Sequence, residues 1–173
     1  MFRDFRMNES EKRPIHLLVR FSDNLFAVGD AIAKHQEVIQ QCGSVWFGKL
    51  GSPVSQKAIE TINMQVEKNI QTYLYLVKGN RRKSTFYKAK IATVTSEFPK
   101  KEKENIPSYY FEKKIVKNMK FWAKIANVQL LESAEIKLLR VKSSVLDIEE
   151  TLFRSSAGLF YVVIKDKGEI GLR

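Results

Sequence analysis

The sequence predicts a single α+β domain of about six strands and two or three helices, and three observations carry that prediction. Runs rich in β-branched and aromatic residues, such as I-H-L-L-V-R-F and G-L-F-Y-V-V-I, are bounded by turn-forming residues. Two other stretches place apolar residues at helical spacing behind a capping side chain. The two kinds are intermingled along 173 residues, with no repeat and no apolar run near the roughly 18 residues that suggest a membrane span.

Residues 1–14 carry charges but no apolar stretch behind them, so they read as a flexible lead-in rather than a signal peptide. The domain proper is expected over 15–165. Its first strand, 15–21, ends at the turn S-D-N (22–24). Asp30 then caps a helix whose stripe is Ile32, His35 and Ile39 and whose stop is Gly43. S-V-W-F-G (44–48) forms a short strand. Ser55 caps a second helix lined by Ile59, Ile62 and Val66. T-Y-L-Y-L-V (72–77) and F-Y-K-A-K-I-A-T-V (86–94) form a hairpin with Arg81, Arg82 and Lys83 at its tip. The lysine- and glutamate-rich run from Pro99 to Pro107 has no apolar period and reads as an exposed loop. Strand character resumes over 119–131, followed by K-L-L-R (137–140), a short segment D-I-E-E-T-L-F-R and a last strand, 158–164. Residues 166–173 are polar and suit a tail or a linker.

The charge is uneven. The chain carries 30 Lys+Arg against 19 Asp+Glu, and between Lys78 and Lys120 stand thirteen basic residues and four acidic ones. A concentrated cationic stretch is the electrostatic footprint of a phosphate-bearing partner, although it also keeps a surface solvated. Aromatic residues interleaved with it, Phe86, Tyr87, Tyr109, Tyr110, Phe111, Phe121 and Trp122, favour nucleic acid, because bases stack on rings while cations hold the backbone. In that reading Arg81, Arg82, Lys83, Lys100, Lys101, Lys113, Lys114 and Lys117 hold phosphates and set affinity rather than specificity.

Other chemistry is poorly supplied. His16 and His35 stand at no metal-ligand spacing with a cysteine or carboxylate, so neither a metal nor another cofactor is expected. Cys42 cannot form an internal disulfide, which fits a reducing cytoplasm. No phosphate-binding glycine loop, nucleophile elbow or dinucleotide fingerprint occurs, and no enzymatic activity is expected.

The order of these elements, from L-V-R-F-S-D-N through G-S-V-W-F and S-Q-K-A-I-E-T-I-N to F-W-A-K-I-A-N-V-Q-L-L, resembles the PUA-like superfamily in its YTH and EVE branches over about 15–164. The resemblance implies a small mixed β-barrel flanked by two to four helices, with a pocket for one modified base. It places Trp46 as the first aromatic wall and Ser22, Asp23 and Asn24 at the turn that reads the base edge. The second wall falls at Asn127, where the family has tryptophan, so Trp122, Tyr109 or Tyr110 would have to replace it. The compact organisation is also similar to the N-terminal modules of McrB-type restriction proteins. That similarity implies DNA as the strand, a defence setting, and a nuclease or AAA+ ATPase supplied by a partner or a further region. Readers of modified RNA and ASCH-like nucleoside hydrolases are related alternatives, and a protein-interaction module is a third.

The residues allow more than one outcome at these positions. Asp23 and Asn24 either read a base or only form the turn. Strand alternation sends either Phe121 or Trp122 inward, and it splits Trp46 from Phe47, with Trp46 expected at the ligand and Phe47 in the core. A base read at its edge must first leave the stack at a cost of a few kcal/mol. Stacking at roughly 1–3 kcal/mol per ring offsets that cost.

Overall fold

The computed structural model describes residues 13–23, 29–80 and 83–170. In chain order the elements are β1 (His16–Phe21), α1 (Ala31–Cys42), β2 (Val45–Leu50), α2 (Gln56–Glu67), β3 (Tyr73–Asn80), β4 (Lys83–Thr95), α3 (Tyr109–Glu112), β5 (Met119–Leu130), α4 (Ser133–Ile136), β6 (Leu139–Val141), α5 (Ile148–Arg154) and β7 (Leu159–Ile164). Local chemistry sets the long helices. The Asp30 carboxylate accepts the Ala33 N–H at the start of α1, and Gly43 closes it at φ 82°, a left-handed conformation that costs glycine little. The Ser55 hydroxyl accepts the Ala58 N–H at 3.2 Å to start α2.

All seven strands form one sheet in the order β2-β5-β4-β3-β1-β7-β6. The pair β1 with β3 is parallel and the other pairs are antiparallel. This differs from the expected small mixed β-barrel of about six strands. Among the described residues β2 pairs only with β5 and β6 only with β7, so the sheet keeps two edges. Bulges curve the sheet without bringing those edges together. Lys88 faces Gln129 and Lys90 faces Ala126, so β5 uses three residues where β4 uses two. Asn127 sits within that bulge at φ 56°, where asparagine is one of the few residues that tolerate the left-handed region. Its backbone role explains a residue that the resemblance placed at a base-pocket wall.

Alternation along the strands splits the interior into three clusters. Leu17, Val19, Val45, Phe47, Leu74, Leu76, Phe121 and Ile125 meet Ile32 of α1 and Ile59 and Ile62 of α2 on one face. Leu18, Tyr75, Val77, Phe160 and Val162 pack on the other face with Ile148 and Leu152 of α5. Trp46, Ile106, Tyr110, Ile115 and Trp122 form the third cluster. That cluster corrects the reading of 99–107 as an exposed loop. Lys100–Asn105 is a 3₁₀ helix, and Asn105, Ile106 and Pro107 are buried at its end. The Asn105 amide donates to the Ser44 carbonyl at 3.1 Å, which holds the segment over β2.

The expected lead-in and tail meet. Arg13 forms ion pairs with Asp166 and Glu169, and Arg140 reaches Glu169 at 3.3 Å. No helix among the described residues is long and apolar enough to cross a membrane.

Candidate nucleic-acid interface

A cavity of about 340 Å³ opens where β1 ends, where α1 begins and beside β2. Its walls include Phe21, Phe47, Tyr109, Tyr110, Ile115 and Met119. Arg20, Ser22, Ala31, Lys49 and Gly79 complete much of the lining. Rings and aliphatic groups make up most of the lining, with Arg20, Ser22 and Lys49 as charged or polar side chains among them, as in sites for flat organic ligands.

Tyr110 organises this site. Its hydroxyl oxygen accepts the Gly48 backbone N–H at 3.1 Å and lies 3.1 Å from His35 Nε2. His35 Nδ1 lies 2.7 Å from the Ala31 carbonyl, which can only accept. Nδ1 therefore carries the proton, and Nε2 accepts the Tyr110 hydroxyl proton. Burial lowers the His35 pKa to about 4, so the ring is neutral near pH 7. Burial likewise raises the Tyr110 phenol well above its ordinary value. Tyr109 stacks on Tyr110 with centroids 4.6 Å apart and is only half-buried, so a fixed ring supports a reachable one.

Gly48 is required by close packing. A Cβ there would stand 3.0 Å from Met119 Cγ and Sδ and from Trp122 Cζ3. Lys49 supplies a charge at the rim. Its side chain has no ion-pair partner among the described residues, and burial draws its pKa below the usual lysine value.

The expected base-edge turn is already engaged inside the protein. Asp23 Oδ1 accepts the Ala31 N–H at 2.9 Å, and Oδ2 pairs with Lys78, whose pKa is raised by that bond. Asp23 thus anchors the start of α1 beside the cavity. Ser22 lines the cavity, and Asn24 lies outside the described residues.

Trp46 and Phe47 take opposite faces of β2, and each is 5% exposed. The cavity beside Tyr109 is lined by Phe47. Trp46 instead donates from Nε1 to Glu102 Oε2 at 2.7 Å and lines a separate groove of about 750 Å³ with Phe98, Pro99, Lys100 and Lys101. Lys124 bonds the other Glu102 oxygen at 2.8 Å, and these two partners, Lys124 first, lower the Glu102 pKa. Trp122 is 1% exposed and packs between Phe98 and Tyr110, with centroids 5.6 and 5.7 Å away. Asn127 is exposed on its bulge and does not line the cavity.

The basic residues fall into two groups. Along 109–120 the chain turns Tyr110, Ile115 and Met119 toward the cavity while Lys113, Lys114, Lys117 and Lys120 are exposed. Lys100 and Lys101 border the Trp46 groove instead. Lys83 is exposed on β4, and Arg81 and Arg82 lie outside the described residues. Sequence reasoning missed Phe21, Lys49 and Met119 as lining residues. The adjacency of Phe47 and Lys49 to a buried glycine was the available signal for two walls.

The Pua-like family model matches residues 17–167. No curated protein and no solved structure gives a significant match.

Proposed function

Because the chain belongs to the Pua-like family, we propose that it is a nucleic-acid-binding domain that captures one base turned out of its strand in the Phe47–Tyr109 cavity. The observation that carries this reading is the segment 109–120, which supplies cavity wall and exposed lysines together. A base entering between Phe21, Phe47 and Tyr109 would keep its stacking while its backbone ran over Lys113, Lys114 and Lys117. The base is a modified one, methylated for preference, since apolar walls such as Met119 and Ile115 favour an added methyl by about 1 kcal/mol. DNA is the favoured strand, in a modification-dependent restriction or phage-defence role. Catalysis there would belong to a partner nuclease or AAA+ ATPase, or to a further region.

The test is binding to matched DNA and RNA oligonucleotides carrying N6-methyladenine, 5-methylcytosine, 5-hydroxymethylcytosine or no modification. Tyr109→Ala should remove preference among them while leaving salt-sensitive background binding, and Trp46→Phe should leave preference intact. Loss of preference in Trp46→Phe at unchanged stability would move the base to the other face of β2. Stronger binding to every RNA than to its DNA counterpart would replace the DNA reading with an RNA one.

Lys49 favours a second reading, an ASCH-like hydrolase acting on a modified nucleoside. A half-buried amine with lowered pKa and no ion-pair partner among the described residues is suited to proton transfer. Turnover of a modified nucleoside that disappears in Lys49→Met would establish it.

A further inference from the structure

We propose that a second cavity, at the far end of β1 from the Phe47–Tyr109 site, binds a small uncharged planar heterocycle through its carbonyl edge. The cavity encloses about 430 Å³, enough for a nucleoside-sized molecule. His16, Tyr73 and Tyr75 line it as a ring cluster, with centroids 5.5 to 6.0 Å apart. Leu131, Leu139 and Ile164 supply its apolar side.

Two polar groups facing this cavity have no hydrogen-bond partner among the described residues. His16 Nδ1 accepts the Tyr73 backbone N–H at 3.1 Å, so it carries no proton. Burial lowers the ring's pKa to about 4, which keeps it neutral near pH 7 and leaves the one proton on Nε2. That N–H has no partner among the described residues, and neither has the Tyr75 hydroxyl. Both side chains are only 2% exposed, yet neither polar atom is sealed from solvent. A ligand that bonds both groups replaces the little solvent that reaches them, and each direct bond made away from water adds to its affinity.

The chemistry of the cavity selects the ligand. His16 Nε2–H can only donate and the Tyr75 hydroxyl is free to donate, so the inserted edge must accept. The lining cations are already neutralised: Lys88 by Glu135 at 2.9 Å, Lys165 by Asp147 at 2.7 Å, and Arg13 by Asp166 and Glu169. An anion would have to displace one of those carboxylates, whereas a neutral carbonyl would not. The flat body is set by Tyr73, over which the Lys88 ammonium rests 4.9 Å from the ring centroid. His16 begins β1 and Phe21 ends it, roughly 16 Å away at strand rise. The site therefore does not rest on the reading of the first cavity.

Calorimetric titration of the whole chain with uridine, adenosine and orotate tests the assignment. Uridine offers carbonyl acceptors without charge, adenosine puts an amino donor beside a ring-nitrogen acceptor at the corresponding edge, and orotate adds a carboxylate. Uridine should bind at least tenfold more tightly than either comparator. Tyr75→Phe, which removes a hydroxyl bonded to none of the described residues, should weaken uridine by about tenfold at an unchanged melting temperature. Tyr109→Ala should leave uridine binding as it is. Absence of uridine binding to folded protein at millimolar concentration overturns the proposal. So does equal or tighter binding of adenosine or orotate, an unaffected Tyr75→Phe variant, or loss of uridine binding in a folded Tyr109→Ala variant.

Discussion

The hydroxyl of Tyr110 and Nε2 of His35 lie 3.1 Å apart in the interior, and the same hydroxyl takes the N–H of Gly48. One oxygen thus fastens α1 and β2 to the turn that carries Tyr109. Tyr110→Phe keeps the ring and strands both partners, so it should cost about 1–3 kcal/mol in urea denaturation. It should also weaken binding at the Phe47–Tyr109 cavity, because Tyr109 loses a fixed support. Unchanged stability would mean that water replaces the hydroxyl.

Gly48→Ala pushes a methyl group to 3.0 Å from both Met119 and Trp122. Met119 can swing aside, but Trp122 is held among Phe98 and Tyr110. Thermal melts should show a loss of about 1–3 kcal/mol, typical of overpacking. Met119 moved aside should also narrow the cavity it lines, so ligand affinity should fall in a variant that remains folded.

Two buried histidines tie stability to acidity. His16 and His35 both have folded pKa values near 4, below the ordinary 6.5, because burial disfavours their charged forms. A depressed pKa stabilises the fold above the unfolded value and loses that contribution as pH falls toward the folded one. Denaturation midpoints should therefore hold steady above about pH 7 and decline from about pH 6.5 to pH 4. The slope is up to roughly 1.4 kcal/mol per pH unit for each histidine. His35→Asn should flatten part of that decline, and a level profile between pH 7 and 5 would show that neither histidine has a lowered pKa in the fold.

Removing Lys113, Lys114 and Lys117 together deletes charge from an exposed turn without touching Ile115, which is buried between them. Affinity should fall alike for all oligonucleotides, and the dependence of log affinity on log salt should become shallower by roughly 2 to 3. A change confined to one sequence would make these lysines readers of bases.

Much of this was legible because the signals were local. Asp30, Gly43 and Ser55 mark helix ends through bonds that span only a few residues, and the β3–β4 hairpin follows from two apolar runs around a turn. The faces of β2 were not legible. Alternation separates Trp46 from Phe47, but it cannot tell which side will be covered, and here both are. The helices cover Phe47, and the chain around Ile106 and Tyr110 covers Trp46. Lysines and glutamates hid that cover, since Asn105 and Ile106 anchor a segment that shows no apolar period. Closure of the sheet was equally beyond reach, because it turns on whether β2 and β6 meet, and their residues carry no mark of each other.

The place of β1 in the sheet has a consequence for how the chain is made. Its two neighbours are β3, at Tyr73–Asn80, and β7, at Leu159–Ile164, so Leu17, Leu18 and Val19 wait for partners far along the sequence. A nascent chain that has not yet released β7 from the ribosome holds the Leu17–Val19 run of β1 with one bare side. Contacts of such long span also slow folding. Synthesis pauses before Leu159, or truncations there, should therefore yield aggregation-prone species rather than a smaller folded unit, whatever the state of α1, α2 and the hairpin.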